Sequence, residues 1–187
     1  MALKRGFKAA ANTLSAEMRD ELGLGPFDRL DPRSLAQHLE IPIIDLSSFR
    51  EKAPDVAHLL TNETDVFSAV TVFAGPRRTI VHNDGHAPVR QNSNICHELS
   101  HGLLQHPPTP ALDNAGCRIW NQDYEDEASW LASCLLVTPQ TALATARGYM
   151  TVEEAARKHA VSAKMMTFRI NATGARARVS RAQGARF

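Results

Sequence analysis

The chain has 187 residues and a hydrophobic content of 43%, enough for one globular domain with a small appendage. No run of 18 apolar residues occurs and the N-terminus lacks the apolar core of a secretory signal, which excludes a membrane protein and predicts no export. The three cysteines show no CxxC spacing, so a disulfide framework and a four-cysteine zinc site are excluded, and we expect a cytoplasmic protein.

The net charge of +1 hides an uneven distribution along the chain. Residues 1–154 contain 13 basic and 20 acidic residues, whereas residues 155–187 contain 8 basic residues and no acid. A basic end of this kind is typical of a nucleic-acid contact or of a solvated tail that balances an acidic body. Both interpretations stay open.

The first half of the chain predicts two helices followed by a small sheet. Apolar residues spaced by four indicate a helix over 12–24, and a second helix begins with proline after Asp31. Residues 41–46 form a predicted strand. Residues 66–73 and 79–82 are rich in β-branched side chains and flank a Gly-Pro pair, which is typical of a hairpin. The predicted sheet is therefore small and antiparallel.

The second half is predicted to be helical. Helices are indicated over 92–105 and 124–137, each ending before a proline, with a long surface loop over 109–121 between them. The predicted fold class is α+β. We expect one domain over 1–149, a pair of short helices over 150–175 that packs on it, and a flexible basic tail over 176–187.

The strongest motif is HExxH at residues 97–101, within the predicted helix over 92–105. Helical spacing puts His97 and His101 on one face, where both imidazoles can bind one metal ion. Glu98 points toward the open coordination position. It can take a proton from the attacking water and deliver it to the leaving amine of a cleaved peptide bond. The sequence therefore predicts a catalytic metal site.

The third ligand is less obvious than the two histidines. The extended pattern HExxHxxGxxH is absent because positions 104 and 107 are leucine and proline, and His106 misses the spacing by one. His106 is therefore predicted to lie beside the ligands. A carboxylate from the acidic trio 125–127 is the alternative, and helical geometry excludes Asp126, which points away from the apolar face. Glu125 and Glu127 are barely separated by geometry alone.

Taken together, these motifs resemble the ImmA/IrrE family of zinc metallopeptidases. That family has HELGH with a histidine five residues on, followed by ExEANxFAxxLLMP, and the resemblance extends from about residue 31 to 174. The departures from the family pattern leave the expected ligands intact but change residues around them. They are Ser100 for glycine, Ser129 for asparagine, Leu131 for phenylalanine and Val137-Thr138 within the LLMP run.

The resemblance implies a zincin-like fold, with the sheet lying on the HExxH helix and its edge strand holding an extended substrate. The edge candidates are residues 66–73 and 79–82. The resemblance also implies that Glu125 completes a site for one Zn²⁺ and that Glu127 orients a ligand. Two histidines and a carboxylate also suit iron, so the metal stays open on chemistry alone.

Peptide hydrolysis requires a group that stabilises negative charge on the substrate carbonyl oxygen. Tyr124, His82 and His86 are the candidates, and each is also compatible with an ordinary structural role. Cys96 adjoins His97, but neighbouring helical residues point about 100° apart, so a Cys-His nucleophile is not predicted. The other two cysteines, Cys117 and Cys134, are expected in a loop and in the core.

The predicted helical pair over 150–175 resembles a helix-turn-helix unit, which the family often carries. In a DNA-reading role, Lys164 and Arg169 approach the duplex, with Arg176 and Arg178 in the tail as further contacts. The alternative is a helical hairpin that completes the core or grips a protein substrate.

These observations together predict a cytoplasmic zinc endopeptidase without a membrane partner. The resemblance implies that its substrate is a repressor of the helix-turn-helix class, cleaved under stress or during mobile-element induction. The alternative is a DNA- or protein-binding regulator with a structural or vestigial metal site. Membership of a toxin-antitoxin pair is a third possibility.

Overall fold

The computed structural model describes residues 3–61, 66–107 and 121–184. The helices in these ranges are α1 Phe7–Glu21, α2 Pro32–His38, α3 Val56–Thr61, α4 Pro88–Leu103, α5 Gln122–Leu136, α6 Pro139–Ala146, α7 Val152–Lys158, α8 Ala163–Ala172 and α9 Ala175–Gly184. The strands are β1 Ile43–Asp45, β2 Ala69–Ala74 and β3 Arg77–His82, and a single 3-10 turn covers Leu46–Phe49. The expected surface loop, with Cys117, lies almost entirely outside the described residues.

The three described strands form a mixed sheet in the order β1-β3-β2, which confirms an α+β fold but corrects the expectation of an antiparallel sheet. Strands β2 and β3 pair antiparallel across a Gly75-Pro76 turn, as a hairpin must. Strand β1 pairs parallel with β3 because the chain returns through the 3-10 turn, α3 and β2 before β3 begins. Strands β1 and β2 are therefore the two edges of the described sheet, and β3 is the centre.

One face of the sheet lies on helix α4. Alternation along β2 puts Ala69, Thr71 and Phe73 on one face, and Thr71 bonds a side chain of α4, which identifies this face as the covered one. Ile80 of β3 pairs with Thr71 and is 1% exposed. The apolar side of α4 is thus buried between the sheet and the helical layer.

Helices α4 and α5 pack side by side at the centre of the protein. Cys96 Sγ of α4 lies 3.7 Å from the carbonyl oxygen of Ala132 in α5. Most of α5 is buried, including Leu131, Cys134 and Leu135. The main apolar cluster extends from α1 to the start of α9 through these two helices, so the described part of the chain has a continuous core.

Two buried arginines stabilise the C-terminal end of α5. Arg19 of α1 donates from Nη1 to the carbonyl oxygen of Leu135 at 3.0 Å, and Arg169 of α8 donates from Nε to that of Val137 at 2.9 Å. The last carbonyls of a helix have no partner within it and carry partial negative charge. The guanidinium groups supply donors and positive charge at this point.

Several elements differ from the predicted bounds. Helix α1 begins at Phe7 instead of Asn12, and α4 begins at Pro88 instead of residue 92. Helix α6 was not predicted: Pro139, expected only to end α5, also begins the next helix behind the Thr138 N-cap. Residues 176–184, expected to form a flexible tail, are part of α9, which packs on α6 and α8.

The predicted pair of short helices is present as α7 and α8. Thr151 and Glu154 form the expected capping box, and Ser162 caps α8. The described residues contain no helix with the length and apolar character needed to cross a lipid bilayer.

Candidate metal centre

Three predicted ligands converge between α4 and α5. His97 and His101 lie one turn apart on α4, and their Nε2 atoms are 3.1 Å apart. Glu125, in the first turn of α5, places Oε2 3.0 Å from His97 Nε2 and Oε1 3.6 Å from His101 Nε2. One ligand atom from each residue lies within 4.8 Å of the others. Two imidazoles and a carboxylate that leave a side open fit the donor set of catalytic zinc sites.

Glu125 is held as a carboxylate by its surroundings. Burial alone would raise its pKa, but hydrogen bonds and positive charge from His101 and His97 outweigh burial and lower the pKa to about 2. Its position in the first turn of α5 adds the favourable helix dipole. The group is therefore ionised, as a metal ligand must be, throughout the physiological pH range.

Behind His101 lies a chain of polar contacts. The Nδ1 atoms of His101 and His106 are 2.9 Å apart, and His106 Nε2 lies 3.2 Å from Oε2 of Glu127. Lys4 Nζ lies 3.2 Å from the other oxygen of Glu127. The Tyr124 ring stacks on His106 at a centroid distance of 4.5 Å. The structure thus distinguishes the two glutamates: Glu125 contacts His97 and His101, whereas Glu127 contacts His106.

His106 is buried, and this burial, together with the neighbouring His101, lowers its pKa although the nearby Glu127 raises it. A neutral imidazole has one N–H and one acceptor nitrogen. His106 can therefore accept a hydrogen bond at one nitrogen and donate one at the other.

Residues that depart from the family pattern are accommodated around the ligands. Ser129 Oγ lies 3.3 Å from His97 Nδ1, on the side away from Glu125. Ser100 is fully buried and donates to the carbonyl oxygen of Cys96 at 2.8 Å, so it is satisfied within α4. Leu131 is buried in the core. None of these changes removes a ligand atom.

Glu98 faces the sheet edge. Its Oε2 accepts a hydrogen bond from Thr71 Oγ1 of β2 at 2.6 Å. Because β2 is an edge strand of the described sheet, the carboxylate of Glu98 and the unpaired backbone edge of β2 lie at the same side of the cleft. Of the two predicted edge candidates, residues 66–73 include most of the edge strand β2, whereas residues 79–82 belong to the central strand β3.

The metal centre opens into a cleft of about 540 Å³. Besides His97, Glu98 and Glu125, its walls include Ala69 from β2, Asn94 from α4, Ser129 from α5 and Met165 from α8. The cleft is therefore built from the sheet, both ligand helices and one C-terminal helix.

The structure places the candidates for charge stabilisation elsewhere. His82 is fully buried, with Nε2 2.7 Å from Asp45 and 2.9 Å from Arg33. His86 lies 3.0 Å from Asn94 Nδ2 through its Nδ1. Tyr124, as described, packs on His106. The described residues that line the cleft include none of the three.

Cys96 and Cys134 are free and fully buried. Burial raises the pKa of Cys96 far above its ordinary value, and nearby Cys134 raises it further. Burial also raises the pKa of Cys134. Neither is a thiolate near neutral pH, so they act as core residues.

The four basic residues considered for DNA contact fall into two groups. Lys164, Arg176 and Arg178 are exposed. Arg169 is 0% exposed and bonds Val137 and Asn12, which corrects its assignment to a duplex contact. Its guanidinium group donates a hydrogen bond to the Val137 carbonyl at the end of α5 and does not face solvent.

Sequence reasoning missed Lys4 and Thr71. Thr71 had a usable signal, because it occupies the α4-facing position in the alternation of β2. Ser129 was noted only as a departure, although it lies four residues after Glu125 on the same helical face. Lys4 had no local signal, because its contact with Glu127 depends on how α1 packs against α5.

Comparison with known proteins gives a family match that covers the candidate site. Residues 43–171 match the model of a peptidase family described as the IrrE N-terminal-like domain. Searches of curated proteins and of solved structures returned no significant match. The family match covers more than half of the chain, includes both ligand helices and confirms the resemblance drawn from the motifs. The chain therefore belongs to the ImmA/IrrE family of metallopeptidases.

Proposed function

We propose that the protein is a zinc-dependent endopeptidase that hydrolyses a peptide bond in a specific regulatory protein. The observation that carries this proposal is the convergence of His97, His101 and Glu125 beside Glu98, at the mouth of a cleft bounded by an edge strand. Each part of this arrangement has a role in peptide hydrolysis.

His97, His101 and Glu125 would hold the metal. We favour zinc over iron because the chain belongs to a metallopeptidase family and because zinc peptidases often have two histidines and a glutamate as ligands. When bound, zinc would supply a Lewis acid that polarises the substrate carbonyl. It would also lower the pKa of water, which then loses a proton more readily as it attacks the carbonyl carbon.

Glu98 is the general base and then the general acid. Thr71 occupies its Oε2, which fixes the carboxylate plane and leaves Oε1 for the proton. The carboxylate accepts a proton from the attacking water and returns it to the amine as the peptide bond breaks. Thr71 is a positioning residue, since it acts through Glu98.

The contacts behind His101 define its tautomer. Its Nε2 faces His97 and Glu125 and is therefore the ligand atom, so the hydrogen lies on Nδ1 and is donated to Nδ1 of His106. His106 then carries its hydrogen on Nε2 and donates it to Glu127. Such outer contacts fix ring orientation and raise ligand basicity.

The edge of β2 is the proposed binding site for an extended substrate, as in zincin-like peptidases. Its outer backbone groups have no neighbouring strand in the described sheet, so a peptide can add as a further strand beside Glu98. Family membership suggests a cytoplasmic repressor of the helix-turn-helix class as the substrate.

The test compares zinc content and cleavage in four variants of the full chain. Wild type, Glu98→Gln and the matched surface control Glu153→Gln should each bind one zinc ion. His97→Ala and Glu125→Ala should lose it, as measured by elemental analysis. With a proteome-derived peptide mixture as substrate, we expect Glu98→Gln to cleave about 10²–10⁴-fold more slowly than wild type. Full activity in Glu98→Gln, or no zinc in the wild type, would refute the proposal.

The alternative function, DNA binding, has less support among the described residues. Arg169, one of the proposed DNA contacts, is buried in the core, whereas Lys164 and the arginines of α9 lie on the surface. Salt-dependent binding to duplex DNA by the intact protein, weakened by Arg176→Ala with Arg178→Ala, would support it.

A further inference from the structure

The cleft extends away from the metal ligands toward the C-terminal helices. Asn94 lies one turn before His97 on α4, whereas Ser129 and Ala132 lie one and two turns after Glu125 on α5, and all three line the cleft. The contact of Cys96 with Ala132 shows that these parts of α4 and α5 are adjacent. The cleft therefore continues for one to two helical turns, or about 5–11 Å, beyond the ligands.

Met165 of α8 lies at this extension. It lines the same cleft as Asn94, Ser129 and Ala132, although it belongs to the helical pair that resembles a DNA-reading unit. Its side chain is partly exposed, while the neighbouring Met166 is fully buried in the core. Met165 is thus the residue that α8 presents to the cleft.

The position of Met165 is fixed by contacts on both sides. Asn92 of α4 donates from Nδ2 to the carbonyl oxygen of Ala160, just before α8, at 3.2 Å. Phe168 packs edge-on against Trp130 of α5 at 5.7 Å, and Arg169 bonds Val137. Helix α8 and the turn before it therefore have contacts with both ligand helices, and these contacts place Met165 at the cleft.

The chemistry of this wall favours an apolar side chain. Polar side chains such as Asn94 and Ser129 also line the cleft, but Val66, Phe67, Ala132 and Met165 supply apolar surface, and no lysine or arginine occurs among the described residues that line it. The carboxylates of Glu98, Glu125 and Asp126 also line the cleft and disfavour an acidic side chain. A flexible thioether adapts to unbranched or γ-branched side chains of medium size.

We propose that Met165 sets the size of the apolar substrate side chain that the cleft accepts next to the scissile bond. The helical pair α7–α8 then contributes to substrate recognition by the peptidase. This inference rests on the proposed function and adds to it a substrate class, namely sites with a medium-sized apolar residue beside the cleaved bond.

The test uses the zinc-loaded full chain and a panel of peptide hydroxamates, which bind a catalytic metal and present a neighbouring side chain. The panel carries alanine, leucine or phenylalanine next to the hydroxamate, and dissociation constants are measured by calorimetry. We expect wild type to prefer leucine. Met165→Ala should shift the ratio of phenylalanine to leucine affinity by about tenfold toward phenylalanine, and Met165→Phe should shift preference by about tenfold toward alanine.

Lys164→Ala is the control, because Lys164 is exposed on the same helix outside the cleft lining. Affinity ratios that stay within twofold in both Met165 variants, while zinc and hydroxamates still bind, would overturn the role of Met165 and leave the peptidase function standing. Absence of zinc or of any hydroxamate binding in wild type would instead refute the peptidase function, and the inference with it.

Discussion

The imidazole of His101 is oriented by residues that are distant in sequence. His106 follows it by five positions, Glu127 comes from α5, and Lys4 precedes α1. The buried carboxylate of Glu127 receives both the His106 hydrogen bond and the Lys4 charge, so its negative charge is compensated. A candidate metal ligand on one helix is therefore supported by three separate parts of the chain.

Loss of His106 should weaken metal binding more than loss of Lys4. His106→Phe retains the stacking on Tyr124 but removes both nitrogens, and we expect zinc affinity to fall by about 10–100-fold. The Lys4 side chain is 72% exposed, so solvent screens its charge, and Lys4→Met should weaken binding by only about two- to threefold.

Zinc affinity is measured by competition with a chromogenic chelator. Arg5→Met, in the same exposed segment, is the control and should bind zinc like wild type. Lys4→Met should have no further effect in a Glu127→Gln background, because the charge that Lys4 compensates is then absent. Equal affinity in His106→Phe and wild type would rule out the positioning role.

At the residue scale, the sequence predicted what local spacing determines. His97, Glu98 and His101 follow from helical periodicity, and the structure brings the two histidines together as expected. Glu125 and Glu127 could not be separated by helical geometry alone. Their distinction depends on where His97 and His106 lie across the helix interface, which is a property of packing.

At the scale of elements, the end of α5 is the point where distant helices meet. Arg169 donates hydrogen bonds to the Val137 carbonyl and to Asn12, neither of which is a carboxylate, and burial lowers its pKa below the ordinary value for arginine. The guanidinium group is tolerated in the core because it donates these two hydrogen bonds. Without Arg169, the Val137 carbonyl and Asn12 would lose a buried donor.

Replacement of Arg169 should destabilise the fold. Arg169→Ala leaves a cavity and removes the hydrogen bond to the Val137 carbonyl, and we expect a loss of about 3 kcal/mol in the free energy of unfolding. Arg176→Ala, an exposed change on α9, should stay within about 0.5 kcal/mol of wild type. Urea denaturation followed by circular dichroism measures both, and similar midpoints for the two variants would contradict this role.

Among the elements, the hairpin and the helices α4, α5, α7 and α8 were predicted, because each has periodicity or capping signals. The parallel pairing of β1 was not predicted. A three-residue strand does not encode the direction of its partner, which depends on the path of the chain through α3 and β2. Helix α6 had a signal in Thr138-Pro139, but proline was interpreted only as the end of α5.

At the scale of the whole molecule, His159 links stability to pH. It caps α7, is 2% exposed, and neither ring nitrogen has a hydrogen-bond partner among the described residues. Burial, together with the positive charges of Lys158 and Arg19, lowers its pKa from 6.5 to about 4. The folded protein therefore holds His159 neutral where the unfolded chain is already protonated.

Because the folded pKa lies below the unfolded one, the contribution of His159 is complete above about pH 6.5 and is lost as pH falls toward 4. Between pH 7 and pH 5 this amounts to about 2 kcal/mol of unfolding free energy. His159→Phe should reduce the pH dependence by this amount, measured by urea denaturation with chelator present throughout.

The exposed His58→Gln is the control and should keep the wild-type dependence. If His159→Phe and wild type lose stability in parallel between pH 7 and pH 5, then His159 does not hold a depressed pKa in the folded protein.

The contacts of α1 have a consequence for how the family segment can be handled. The family match begins at residue 43, yet Arg19, Asn12 and Lys4 bond Leu135, Arg169 and Glu127 within or beside the ligand helix. An excised segment 43–171 would expose the α1-facing side of α5 and orphan these groups. The segment that the family model matches therefore lacks contacts that the full chain makes to α5 and α8, so grafting this segment alone into another chain would transfer the candidate ligands without that support.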